Sequence, residues 1–368
     1  MSDRPPGLDA AGIVAAVVRP EICALAAYTV SPSEGMIKLD AMENPYRLPA
    51  DVRAKIAAAV ADVSINRYPD GGAANVKAAL RDAFAIPESF GIVVGNGSDE
   101  LIQMLTVAVA APGATILAPD PSFVMYRMNA TYAGVRFAGV PLAADFALDL
   151  KAMLEAIARE RPALIFLAYP NNPTGNLYAT ADIDAVIRAA PGLVVVDEAY
   201  HAFAGTSYLP RLSEFPNVIV MRTVSKIGMA GLRLGYAIAP LEWTAEIEKI
   251  RQPYNLNGLT QAVAPVLLRE TGLLEAQAES INKERARVEA ALATLRGVQV
   301  FPTHTNFVLA RVPDAPRWFD LLRRSGILVK NLHGWHPLLA HCLRLTVGTP
   351  EENDAVLAAL STNISSPK

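Results

Sequence analysis

Lys226 stands in the segment Arg222-Thr223-Val224-Ser225-Lys226-Ile227-Gly228, with Arg233 seven residues further on. An amine held among cations in a segment otherwise small and apolar has a lowered pKa, because burial and like charge both disfavour the ammonium form. Such a lysine is suited to form a Schiff base with an aldehyde. Thr223, Ser225 and Arg233 beside it have the hydroxyl and guanidinium chemistry to hold a phosphate. The plainer reading, a surface lysine, has to account for two hydroxyl and two arginine neighbours.

Asp197 follows Leu193-Val194-Val195-Val196, a continuous apolar run that predicts a strand buried on both faces. A carboxylate there is costly without a partner; a protonated heteroaromatic nitrogen, a helix N-terminus or a structural ion pair would each serve. Tyr200, three residues on, can reach the same ligand or simply pack. Pro170-Asn171-Asn172-Pro173-Thr174-Gly175 is turn chemistry after the apolar run 163–168. Gly95-Asn96-Gly97-Ser98-Asp99-Glu100 opens a helix whose Leu101, Leu105, Ala108 and Val109 share a face, with Ser98 or Asp99 as its N-cap. A glycine turn feeding a helix start is an anion site when something anionic is to be bound.

These residues need a scaffold that brings them together. Residues 115–118, 163–168, 193–196 and 218–221 read as buried parallel strands, and 180–190 as a helix between the second and third. Such a β-α-β alternation predicts a doubly wound α/β sheet with ligands at the carboxyl ends of its strands, where Asn172, Asp197 and Lys226 all fall. From about Pro253 the pattern changes. A helical stretch over 259–295 leads to short strands at 298–301, 306–312, 327–329 and 342–347, then a last helix over 351–360. The expected organisation is an arm over residues 1–40, a large domain over 41–252 and a small α+β domain over 253–368.

Composition narrows the function classes. The 368 residues are 52% hydrophobic and 19% charged with a net charge of -3, which excludes global disorder and leaves no basic footprint for nucleic acid. Cys23 and Cys342 form no disulfide framework or metal-ligand pair. The apolar patch at 13–18 lacks the features of an export signal, and the apolar stretch 101–118 is interrupted by Gln103, Pro112 and Gly113, so a soluble, cytoplasmic enzyme without membrane partners is expected. His333, His336 and His341 next to Cys342 lack a clear fourth ligand, and no metal is expected.

The order of glycine turn, Phe123, Asn172, Asp197 with Tyr200, Ser225-Lys226 and Arg233 resembles the fold-type I pyridoxal-phosphate enzymes, their aminotransferase branch in particular, across about 37–352. The resemblance implies a mostly parallel seven-stranded sheet between helices in the large domain. It implies pyridoxal 5′-phosphate joined to Lys226 through an imine, with Asp197 on the pyridinium nitrogen, Asn172 and Tyr200 on the phenolic oxygen, and Phe123 on the ring face. Gly97, Ser98, Asp99, Thr223, Ser225 and Arg233 would surround the phosphate.

Lys38-Leu39-Asp40 with Glu43-Asn44-Pro45, Asn66-Arg67-Tyr68-Pro69-Asp70, Thr305-Asn306-Phe307 and Leu343-Arg344-Leu345-Thr346-Val347-Gly348 are similar to the histidinol-phosphate aminotransferase family. That narrower resemblance implies transamination between L-histidinol phosphate and 2-oxoglutarate, giving imidazole acetol phosphate and glutamate, in histidine biosynthesis. It implies a homodimer with shared sites, in which Tyr68 reaches the neighbouring subunit's cofactor phosphate. Tyr28 would cover the substrate, Arg344 would grip its anionic end, and Asn44 and Lys330 would complete the substrate site. Met42 stands where the family commonly has asparagine and Lys330 where arginine is frequent. The alternatives are an aminotransferase for aromatic or other amino acids and a lyase such as threonine-phosphate decarboxylase, whose motifs look alike.

Overall fold

The structure, a computed structural model, describes residues 9–27 and 29–364; Tyr28, the expected arm residue, lies outside the described residues. Its centre is a seven-stranded sheet of β1 (Phe90–Asn96), β2 (Thr115–Asp120), β3 (Arg136–Pro141), β4 (Leu164–Ala168), β5 (Leu193–Asp197), β6 (Val218–Thr223) and β7 (Leu234–Pro240). The strand order is β1-β7-β6-β5-β4-β2-β3. All neighbours are parallel except where β7 runs antiparallel to β1 and β6. Every residue of β4, β5 and β6 is buried, which is why these segments are continuous apolar runs with no alternation. The crossover helix Thr180–Ala189 between β4 and β5 buries Ile183, Val186 and Ile187 against the sheet.

Register then decides what meets at the sheet's carboxyl edge. Ala168 of β4 pairs with Asp197, and Asp197 pairs with Met221 of β6. The residues that leave these strands, Asn172 on one side and Thr223 to Lys226 on the other, therefore flank Asp197. A buried ion pair ties two of the exits together: Arg222 in β6 meets Glu198 just past β5 at 2.9 Å.

A second, antiparallel sheet of β8 (Gln299–Phe301), β9 (Phe307–Arg311), β10 (Lys330–Asn331) and β11 (Cys342–Thr346) has the order β10-β11-β9-β8. One of its faces, with Val308, Ala310, Leu343 and Leu345, packs with Ile281 and Trp318 in a separate cluster. The segment before the large sheet is bound to this unit. Ile37–Lys38 pairs in parallel with Ile327–Leu328, the Met42 N–H donates to Thr346 Oγ1 at 3.0 Å, and Asn306 Nδ2 donates to the Met42 carbonyl at 2.9 Å.

The helical stretch expected over 259–295 is two helices, Gly258–Leu268 and Thr271–Ala293. The reason is a change of partner. Val263, Ala264 and Leu267 of the first belong to the core of the large sheet, whereas Ala278, Ile281, Val288 and Leu292 of the second belong to the cluster of the small sheet. A single straight helix could not present both stripes to two separate cores.

Candidate active site

A cavity of about 240 Å³ opens at the carboxyl edge of the large sheet, and ten of the residues singled out from the sequence line it: Ser98, Asp99, Phe123, Asn172, Asp197, Tyr200, Thr223, Ser225, Lys226 and Arg233. Lys226 lies in a short 3₁₀ turn after β6, and its Nζ donates to the Ala41 carbonyl at 3.4 Å. Burial pushes its pKa down to about 8, with the positive charges of Arg344 and Arg233 acting the same way against the pull of Asp99 and Glu43. Asp197, the last residue of β5, is 5% exposed. Burial raises its carboxyl to about 6 in spite of hydrogen bonds from the Tyr126 hydroxyl, 2.6 Å from Oδ2, and from the Ala199 N–H, 3.1 Å from Oδ1. A weakened base and a costly buried acid thus face the same space, each calling for a partner of opposite charge.

One end of the cavity is built for an anion. The helix Ser98–Ala108 begins there, and its N-cap is Gly97 at φ +80°, in place of the expected Ser98 or Asp99. The physical reason is the backbone: φ +80° is a conformation that side chains bearing a Cβ rarely adopt, so glycine holds the turn just before the helix. Glycine has no side chain to cap the first turn, so the N–H groups there are left for a ligand. Across from them the Ser225 N–H donates to Thr223 Oγ1 at 3.1 Å and the two hydroxyls are 2.9 Å apart, while Arg233 meets Asp99 at 3.5 Å. Phe123, at the start of the helix Val124–Ala133, and Tyr200, whose ring centroid is 6.0 Å from Lys226 Nζ, supply aromatic walls.

A second cavity of about 280 Å³ adjoins the first, sharing Met42, Phe123, Tyr126 and Asn172 as walls and adding Lys330, Trp335, His336 and Arg344. Arg344, in β11, lines the second cavity and is hydrogen-bonded to the wall the two share. Its Nη1 donates to Asn172 Oδ1 at 2.6 Å and its Nη2 to the Asp40 carbonyl at 2.9 Å. Lys330 pairs in register with Arg344 across β10 and β11, and its Nζ sits 4.8 Å from the centre of the Trp335 ring.

Three expected residues line neither cavity: Gly97, which precedes Ser98 at the turn, Asn44 and Tyr68. Asn44 donates to Gln277 Oε1 at 3.0 Å and accepts from the Tyr46 N–H at 2.9 Å, so Met42 and Glu43 line the cavity instead. Tyr68 is 80% exposed, stacked on Tyr254 with ring centroids 4.5 Å apart. His333 and His336 use their ring nitrogens to accept backbone N–H groups of His341 and Leu338 in their own loop. Tyr126 was not singled out by sequence; its position one helical turn after Phe123 is the only signal that could have drawn notice.

The family model for aminotransferase class I and II matches residues 34–360. The chain belongs to the class I and II aminotransferases. This aminotransferase is 55% identical over 344 residues to the histidinol-phosphate aminotransferase of Chromobacterium violaceum, covering 94% of this chain and 97% of that one. It is 50% identical over 364 residues to histidinol-phosphate aminotransferase 1 of Ralstonia nicotianae, covering 98% and 97% respectively. Among solved structures it is similar to histidinol-phosphate aminotransferase from Sinorhizobium meliloti in complex with pyridoxal 5′-phosphate, with a TM-score of 0.83, 28% identity, and coverage of 94% of this chain and 96% of that one.

The donor set fits pyridoxal phosphate. The cradle at Gly97, which a Cβ would fill, with Ser98, Thr223, Ser225 and Arg233 around it, matches a phosphate. The amine of Lys226 matches an aldehyde, the buried acid Asp197 a basic ring nitrogen, and Phe123 a flat ring.

Proposed function

We propose that this aminotransferase moves the amino group of L-histidinol phosphate to 2-oxoglutarate, giving imidazole acetol phosphate and glutamate, as a step of histidine biosynthesis. The observation that carries the reading is the identity of 50–55% to histidinol-phosphate aminotransferases across nearly the whole chain. The paired cavities support it, because a substrate with an amino group, an anionic end and an imidazole needs more room than the cofactor cavity alone supplies.

Bound pyridoxal phosphate would supply an electron-poor ring that takes up negative charge developing at the substrate Cα. The chain does the rest. Asp197 would set its negative charge opposite the ring nitrogen, Asn172 and Tyr200 would bond the phenolic oxygen, and Phe123 would stack on the ring. Lys226, with a pKa of about 8, is an unprotonated amine often enough near neutrality to take the Cα proton as a general base. Arg344 presents a planar fork that suits a carboxylate or a phosphate alike, so one residue serves both glutamate and histidinol phosphate. Lys330 adds a second positive charge on the same wall.

The same proposal takes the enzyme as a cytoplasmic homodimer in which exposed Tyr68 completes the partner's phosphate site. It divides the chain into a large unit over 41–252 and a small one over 253–368, with the helix Gly258–Leu268 as a strap lying on the larger.

The test is single-turnover absorbance change of the loaded enzyme with histidinol phosphate and, separately, phenylalanine. Histidinol phosphate should react much the faster. A faster reaction with phenylalanine would overturn the substrate assignment, and carbon dioxide release from threonine phosphate without an oxo acid would replace it with the lyase reading.

A further inference from the structure

The ring of Tyr126 is 1% exposed, lies flat on Phe166 with centroids 4.4 Å apart, and meets Phe123 edge-on at 5.6 Å. Phenylalanine would satisfy all of that packing. What tyrosine adds is a hydroxyl, and that hydroxyl has one partner, Asp197 Oδ2 at 2.6 Å. The other carboxylate oxygen accepts the Ala199 N–H, so Asp197 is gripped from two sides before any ligand arrives. A carboxylate has about four acceptor positions, so both bonds leave room for a ring N–H from the cofactor.

We infer that Tyr126 is a positioning residue for Asp197: its O–H fixes the carboxylate's orientation and shares the negative charge that faces the cofactor's ring nitrogen. The inference rests on the reading of Asp197 as that nitrogen's partner. The surrounding charges make the phenol's share matter. Burial, Asp99 and Glu198 all push the Asp197 carboxyl upward, and the Tyr126 hydroxyl and the Ala199 N–H pull it back. Tyr126 itself stays a donor, since burial and the nearby Asp197 hold its hydroxyl well above the ordinary tyrosine range. Because the same ring abuts Phe123, Tyr126 joins the group that sets the cofactor's plane to the group that sets its charge.

The test uses the loaded enzyme with Tyr126→Phe, which keeps the stack on Phe166. The expected result is a kcat lowered by about tenfold, the value of one hydrogen bond to a charged group, with KM for the amino donor little changed. Without the donor the charge of Asp197 is less shared and better stabilises a proton on the cofactor, so the pH midpoint of the visible absorbance should rise. Site-specific 3-fluorotyrosine at position 126, a stronger donor of nearly the same size, should move that midpoint down. It also decides the matter should Tyr126→Phe fail to fold. Wild-type kcat and an unmoved midpoint in these proteins would overturn the inference. Asp197→Asn, measured alongside, separates the two readings: if it retains wild-type kcat, the assignment of Asp197 falls, and if it is crippled while the Tyr126 variants are not, only the role of Tyr126 falls.

Discussion

Replacing Arg344 by lysine keeps the charge and removes the fork. The residue is 7% exposed and its guanidinium spans two acceptors, Asn172 Oδ1 at 2.6 Å and the Asp40 carbonyl at 2.9 Å, which hold its plane in the wall of the second cavity. A lysine in β11 offers a point charge on a flexible stem and cannot hold both acceptors in that plane while meeting a substrate oxyanion. Losing one charge-assisted hydrogen bond to the substrate costs about 1.5–3 kcal/mol, which corresponds to roughly 10- to 150-fold in kcat/KM. Because the same fork is proposed to receive the phosphate of one substrate and the carboxylate of the other, the loss should appear with both histidinol phosphate and glutamate. The assay is steady-state turnover in the two directions, with bound cofactor measured after release by alkali. Cofactor content should be unchanged, since the phosphate cradle at Gly97 and Arg233 is built from other residues. A variant within threefold of wild type for both substrates would refute the reasoning, as would a loss confined to one of them.

Two further outcomes are expected. Uptake of pyridoxal phosphate by the cofactor-free enzyme needs the neutral amine of Lys226, whose folded-state pKa of about 8 lies below its ordinary value of 10.5; the rate should climb with pH up to about 8 and level off above it, and a rate still rising tenfold per pH unit near pH 10 would contradict this. Gly235→Ala would place a Cβ 2.5 Å from the Ser98 backbone nitrogen and 2.6 Å from the Gly97 carbonyl carbon. Backbone cannot yield as a flexible side chain does, so a destabilisation of about 1–3 kcal/mol in denaturant unfolding and weaker cofactor retention are expected, and an unchanged unfolding midpoint would count against the close packing of the cradle.

Tyr126 and Asn44 mark the boundary of what local pattern could reveal. Tyr126 reads as an ordinary core aromatic, and nothing in the sequence says that its hydroxyl points at a residue 71 positions away. Asn44 sits in a motif-bearing segment, yet its amide is spent on Gln277, a partner supplied by a helix more than two hundred residues downstream. The break between Gly258–Leu268 and Thr271–Ala293 was equally hidden, because both halves have helical periodicity and only the existence of two separate cores separates them.

Local pattern carries the chemical kit and part of the elements: four strands of the large sheet are legible as apolar runs, and lysine, acid and glycine turn as reactive types in a fixed order, whereas Phe90–Asn96, Arg136–Pro141 and Leu234–Pro240 of the same sheet are not. Helix and strand periodicity act over a few residues, so such features survive in one dimension. The tertiary structure alone decided which of these groups meet. The parallel register that sets Ala168, Asp197 and Met221 side by side, the grip of Tyr126 on Asp197, and the span of Arg344 between Asn172 and Asp40 are contacts between distant segments. Their geometry is fixed by how two sheets and their cores pack, which no local pattern encodes.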